Sequence, residues 1–289
     1  MSVATAAVTE GRRVDALWPA LRNTGVIGIA SAGVIAVALV ITVLGPLLAP
    51  HDPYLGQLAN SYVGPSEGFP LGYDGQGRDV LSRLLVGART SLLGPLAVVV
   101  MSIVVGTSLG VWTAWTGGRI DAVLSSILDT LFAFPGILLA ILATAVFGKG
   151  LTAATIALAV AYTPYVARIL RGAALRERNL PYIAALEVQG ASGLAICVRH
   201  IIPNVNPLIL AQATTFFGFA VVDLAAISFL GLGVQPPFPD WGVMVSENAS
   251  GVVQGYPLAA LSAGLCIVAV VIAFNLLGQR LYESAERGQ

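Results

Sequence analysis

Gly190-Ala191-Ser192-Gly193 spells a glycine-flanked serine of the kind from which a nucleophile can be built. Such a serine needs a base within hydrogen-bond reach. The chain has two histidines, His51 and His200, and only His200 shares a segment with Ser192. An intramembrane hydrolase would also keep both groups inside the bilayer, whereas Ser192 stands in a polar connecting segment. The string reads as a glycine-rich helix break. ATP chemistry needs Gly-x4-Gly-Lys-[Ser/Thr]. The single lysine, Lys149, is followed by Gly150, and Ala143 stands where the first glycine belongs. An ATP-driven activity therefore requires a motor on another chain. Cys197 and Cys266 are far apart, which argues against a disulfide or a thiolate metal site. His51-Asp52-Pro53 is one histidine beside one acid and reads as a turn. Asp129 and Asp223 fall in apolar runs, where a carboxylate is costly unless it is paired or lines a wet path. Asp223 reads equally as a candidate pathway residue or as a neutral, hydrogen-bonded packing residue. For Asp129, close to Arg119 and Asp121, a structural or inner-gate role fits better.

The elements that must position these residues follow from composition. Of 289 residues 56% are apolar and 10% charged, too few charges to build a water-facing surface, so much of the exterior must meet lipid. Zero net charge gives no reason to expect a nucleic acid. A helix crosses the hydrocarbon with about 20 apolar residues. Six segments qualify, near 25–48, 89–115, 121–147, 151–171, 207–233 and 257–279. The apolar run after the polar, basic-ended N-terminus is too long for a signal-peptide core and reads as a retained anchor. Small residues recur along 151–161 and favour close helix approach. Arg12, Arg13, Arg22, Arg119, Arg168, Arg171, Arg176, Arg178, Arg199, Arg280 and Arg287 all fall on one side of such a bundle, which the positive-inside rule assigns to the cytoplasm.

The expected organisation is a cytoplasmic N-terminus (1–24), a first span (25–48), an extracytoplasmic loop (49–88), a helical core (89–280) and a cytoplasmic tail (281–289). A second outer loop, 235–256, carries Phe238, Trp241 and Tyr256 as candidate interfacial anchors. Asp74 to Arg83 mixes two acids with two arginines, either a structured outer loop near a docking site or a stabilising surface cluster. The inner connection, 172–206, predicts two short helices. One starts at Leu180-Pro181 and breaks at Gly190; the other runs from Leu194 to Ile202 and ends at Pro203. Two short helices meeting at a glycine, flanked by arginines, read either as a knob offered to another protein or as a re-entrant connector with no partner.

The stretch Tyr182-Ile-Ala-Ala-Leu-Glu-Val-Gln-Gly190-Ala-Ser, with Arg199-His-Ile-Ile-Pro203-Asn204, resembles the cytoplasmic loop of integral-membrane permeases of bacterial ABC importers. Phe69 to Arg83 resembles the outer-loop signature of the dipeptide, oligopeptide and nickel branch, in its second, C-type permease. Asp129 to Pro135, Ser228 to Pro237 with Trp241-Gly242, and Ala273 to Gly278 resemble further blocks of that branch. The resemblance implies an all-α integral membrane protein with six transmembrane helices in the type I importer permease fold, both termini cytoplasmic, in a bacterial plasma membrane. It implies a homologous second permease, two ATP-binding subunits that hold ATP and Mg, and an extracytoplasmic substrate-binding protein. No catalytic residue, metal or cofactor is expected on this chain. The ATPase-coupling residues would be Tyr182, Ala184, Ala185, Glu187, Gly190, Ala191, Ser192, Arg199, His200 and Pro203. The chain departs from the pattern in two places. Ala184-Ala185-Leu186 stands where the family carries Glu-Ala-Ala, with Glu187 three positions on. Leu224 stands where the family often has an acid, with Asp223 one residue earlier.

The cargo implied is a di- or oligopeptide; nickel, glutathione or another small solute is the alternative. A secondary transporter would show paired acids in facing helices and an internal repeat, and the sequence shows isolated acids and no clear repeat.

Overall fold

A computed structural model describes residues 25–287. The basic N-terminal stretch with Arg12, Arg13 and Arg22 lies outside the described residues, as do 288–289. The described chain is built of helices: α1 (Gly25–Leu48), α2 (Val80–Thr116), α3 (Gly118–Phe132), α4 (Gly136–Phe147), α5 (Leu151–Arg178), α6 (Pro181–Val188), α7 (Gly193–Ile196), α8 (Ile202–Phe229), α9 (Trp241–Glu247), α10 (Ala249–Val253) and α11 (Leu258–Arg287). Five helical stretches are long and apolar enough to cross a membrane, or six if α3 and α4 count together.

The run 121–147 is not one straight helix but a bent pair, either a broken span or a re-entrant loop. α3 and α4 meet at 82° across a break of three residues. Pro135 has no N–H to donate and pushes Phe134 out of helical geometry, so α3 closes with Phe134 N donating to Leu131 O. Both halves lie at the edge of the bundle: no residue of α3 is buried, and in α4 only Ala140 and Thr144 are. The opposite correction applies near Pro203. Instead of ending a short helix there, the chain runs from Gly193 to Phe229 as one continuous apolar helical stretch. A π turn, Cys197–Ile201, absorbs the misfit before Pro203 in the first turn of α8, where a missing N–H costs little. α11 likewise carries the expected tail as helix to Arg287.

α2 has 37 residues, about 55 Å at 1.5 Å per residue, against about 30 Å of hydrocarbon. It starts at Val80, earlier than the apolar pattern alone indicates, and its first turns, with Arg83, lie among the loops. It packs against α5 at very short range. A Cβ built on Gly106 would lie 2.6 Å from Val166 Cβ, and one on Gly110 2.6 Å from the Ala167 carbonyl oxygen. Glycines four apart let the two backbones meet where lipid supplies no hydrophobic drive. Val98, Leu158, Val166, Leu170, Phe216, Val221, Leu224 and Ile227 fill the core between α2, α5 and α8, and α11 closes it with Ala263 and Val270.

The loops at the N-terminal end of α2 are locked by charge. Asp74, Arg78 and Arg83 are buried, so this is no surface cluster. Arg78 donates to Asp74 (2.7 Å) and to Glu247 Oε2 (2.6 Å). Arg83 donates to the same Glu247 oxygen (3.0 Å) and to the carbonyls of Pro53 (3.1 Å) and Pro237 (3.4 Å). Two acids balance two guanidinium groups, which ties the 49–79 loop, α2 and α9 together. Asp79 caps α2, accepting from the backbone N–H groups of Leu81 and Ser82, and pairs with His51 Nδ1 at 3.2 Å. Asp52 accepts from Tyr54 N, so Asp52-Pro53-Tyr54 is an Asx turn. Trp241 is no interfacial anchor: it is buried and its indole donates to Leu84 O, whereas Phe238 and Tyr256 are exposed.

Candidate functional site

At the opposite end of the bundle, α6 and α7 form the knob read from 172–206. Pro181 occupies the first turn of α6. The helix ends in a Schellman arrangement: Ala191 N donates to Leu186 O and Gly190 N to Glu187 O, both at 3.0 Å. Gly190 has φ +83°, and a Cβ placed on it would meet nothing within 4 Å, so glycine is needed here for conformation and not for space. Ser192 then caps α7, its Oγ accepting from Ala195 N at 3.3 Å, which is the whole use the loop makes of that side chain.

Two devices fasten the knob to the bundle. A small core joins Ile183 of α6, Ile196, Cys197 and Ile201 to Val111 and Ala114 of α2 and Ala174 of α5. Around it, Arg178 donates to Ala114 O (2.7 Å) and lies 5.0 Å over the Trp115 ring. A hydrogen-bonded triad adds polar ties: Glu177 of α5 accepts from Tyr182 OH and from Asn204 Nδ2 (2.6 Å), and Asn204 also reaches Tyr182 OH (3.0 Å). Burial of the ring, and then the bond to Glu177, push the Tyr182 hydroxyl up to about 12. While that side of the knob is anchored, the other is bare: Val188 is 90% exposed and Leu194 76%.

The sequence-derived coupling residues are thereby sorted. Tyr182 is a tie to the bundle, and Gly190 and Ser192 shape the break. Ala184, Ala185, Glu187 and Arg199 are exposed around the bare side, with Ala191, His200 and Pro203 half-buried. Glu187 contributes its carbonyl to the loop. The carboxylate that bridges to the knob is Glu177, which lies upstream of the motif and is missed by it. Its signal was present in the sequence only as an acid between Arg176 and Arg178.

The two intramembrane acids have separate surroundings. Asp129 is paired with Arg168, and Asp121 with Arg171 in a bidentate contact (2.7 and 2.5 Å), so α3 is clamped to α5 and these acids are not isolated. Arg168 also sits 4.7 Å over the Phe132 ring. Asp223, on α8, accepts from Tyr162 OH at 2.8 Å. Aromatic contacts run on from there: Tyr162 against Phe216 (5.6 Å between centroids), Phe216 edge-on to Tyr165 (5.3 Å), and Tyr165 against Phe132 (5.8 Å). Leu224, next in the chain, is buried in the core. Both cysteines are free thiols.

Comparison with known proteins gives this geometry its context. A family model described as "Binding-protein-dependent transport system inner membrane component" matches residues 106–288. The chain is 40% identical over 223 residues to the glutathione transport system permease protein GsiD of Pectobacterium atrosepticum, covering 77% of this chain and 74% of that protein. It is 36% identical over 248 residues to the dipeptide transport system permease protein DppC of Alkalihalophilus pseudofirmus (86% and 81% covered). It is 35% identical over 272 residues to the di/tripeptide transport system permease protein DppC of Pseudomonas aeruginosa (91% and 88%). Among solved structures, a chain of the MetNI methionine ABC transporter in inward-facing form matches with a TM-score of 0.57 at 20% identity, over 70% of this chain and 96% of that one. At that identity the likeness speaks for the fold alone.

Proposed function

Since the chain belongs to the family of inner-membrane components of binding-protein-dependent transport systems, as a multi-pass ABC importer permease of type I fold, we propose that it forms, with a homologous second permease, the path by which di- and oligopeptides enter the cell. ATP and Mg are bound and turned over on two partner chains, which grip the knob of α6 and α7. Both chain ends and the knob face the cytoplasm, and the charge-locked loops face an external binding protein.

The observation that carries this reading is a rigidly anchored knob with a bare apolar tip. A surface that exposes Val188 and Leu194 beyond the bilayer is costly in water and gains by burial against a partner. The ties through Glu177, Tyr182, Asn204 and Arg178 connect that tip to α5, α8 and α2, the helices of the core. Movement of a partner against the tip is thereby delivered to the bundle as a tilt, which is what alternating access requires. Relatives named for dipeptide, di/tripeptide and glutathione transport support a small peptide-like cargo; glutathione itself is the alternative within the same machinery.

The test is purification in mild detergent from native membranes. An ATP-hydrolysing partner should co-elute, and Val188→Asp with Leu194→Asp should release it while the chain stays in the membrane. Elution of intact chain with no such partner would refute the reading. So would labelling of Gln189→Cys from outside intact cells.

A further inference from the structure

Asp223 is a carboxylate in a membrane-spanning helix, and its partner is a neutral phenol, Tyr162 OH at 2.8 Å. The two acids on α3, Asp121 and Asp129, each have an arginine. Among the described residues no cation pairs with Asp223. A lone carboxylate at membrane depth is costly and is retained where a cation visits it or a wet path passes it. The surroundings combine a helix break with a run of aromatic rings. Tyr162 lies beside the break between α3 and α4, where a Cβ on Gly136 would lie 3.9 Å from its ring and 3.3 Å from Ala161. A discontinuous helix beside a polar group is a recurrent plan for a midplane transport site. From Tyr162 the aromatic wall of Phe216, Tyr165 and Phe132 leads to the exposed Arg168–Asp129 pair.

Resting on the peptide reading above, we propose that Asp223 is a transient station for the cargo's α-ammonium group, with Tyr162 holding the carboxylate in place and the aromatic rings bordering the cargo's path. The site is an anion with one neutral hydrogen-bond donor and apolar flanks, which selects a primary ammonium over an anion. Tyr162 OH engages one oxygen, Oδ2, leaving Oδ1 to accept from a charged donor. The station depends on the helical register at position 223. One position on, Leu224 turns about 100° away into the core.

The experiment uses the whole transporter with its binding protein in proteoliposomes, and three amine-bearing probes: dialanine, trialanine and glutathione. The readout is probe taken up per ATP hydrolysed. Asp223→Asn has the shape and hydrogen bonding of a neutral acid but no charge, and should lower that ratio at least tenfold. Asp223→Glu should restore much of it. A ratio for Asp223→Asn within twofold of the parent would show that the carboxylate serves as a neutral packing group and would overturn the proposal. Equal defects in the Asn and Glu variants, with both complexes intact on gel filtration, would overturn it too. If the parent complex hydrolyses ATP but takes up none of the probes, the peptide reading itself falls, and the station with it.

Discussion

Glu247→Gln isolates the energetics of the charge-locked loops. In the parent chain Glu247 Oε2 receives hydrogen bonds from both Arg78 (2.6 Å) and Arg83 (3.0 Å), and Asp74 supplies the second negative charge. The variant leaves two guanidinium groups facing one carboxylate. Arg78 and Arg83 are 3% and 0% exposed, so water cannot compensate. Breaking a buried pair from one side costs about 3–5 kcal/mol. Because glutamine keeps a neutral acceptor in place, the loss should fall near about 3 kcal/mol. Arg83→Met should cost at least as much, since it also abandons the carbonyls of Pro53 and Pro237, each bond being worth about 1 kcal/mol. The double variant leaves Arg78 paired with Asp74 and no net charge. Its loss should be smaller than the sum of the two single losses by about 2 kcal/mol or more. Unfolding in mixed micelles at rising SDS fraction measures all three, and limited proteolysis of the 49–79 loop reports where the structure opens. If the double variant's loss equals the sum of the single losses within about 0.5 kcal/mol, the arginines and Glu247 do not act as one network and the reasoning fails.

Gly190→Ala must hold an L-residue at φ +83°, costing about 1–2 kcal/mol locally; the chain should still insert, with uptake per ATP hydrolysed falling severalfold in the reconstituted transporter. Gly110→Leu drives a side chain into the Ala167 carbonyl and should cost about 1–3 kcal/mol, read as earlier thermal aggregation in detergent. Asp129→Asn breaks a pair whose partners are both more than half exposed; stability should change by under about 1 kcal/mol, so that any larger effect would have to appear in transport. The Tyr182 hydroxyl, held up to about 12, favours the neutral phenol in the folded chain. Whatever it contributes is complete below about pH 10, the ordinary phenol value, and lost as pH rises through about 12. Absorbance titration of Glu177→Gln against the parent should show one tyrosine ionising earlier.

The pattern of apolar runs and basic residues was sufficient to read a multi-helix membrane protein, and its motifs to place it among importer permeases. Both signals are local or linear: lipid demands long apolar helices wherever they occur in the chain, and a φ of +83° demands glycine whatever surrounds it. What depended on distance in space was not legible. Pro135 broke its helix while Pro203 did not, because α8 could absorb its proline in a first turn next to a π turn. Asp74, Arg78 and Arg83 read equally as a structured outer loop or as a surface cluster until Glu247, far along the chain, was brought against them. Glu177 gained its role only when α5, α6 and α8 converged on it, and Gly106 and Gly110 theirs only when α5 was laid against α2. A sequence states the cost of each residue in lipid or in a given backbone conformation. Which charges cancel, and which backbones touch, is decided by packing.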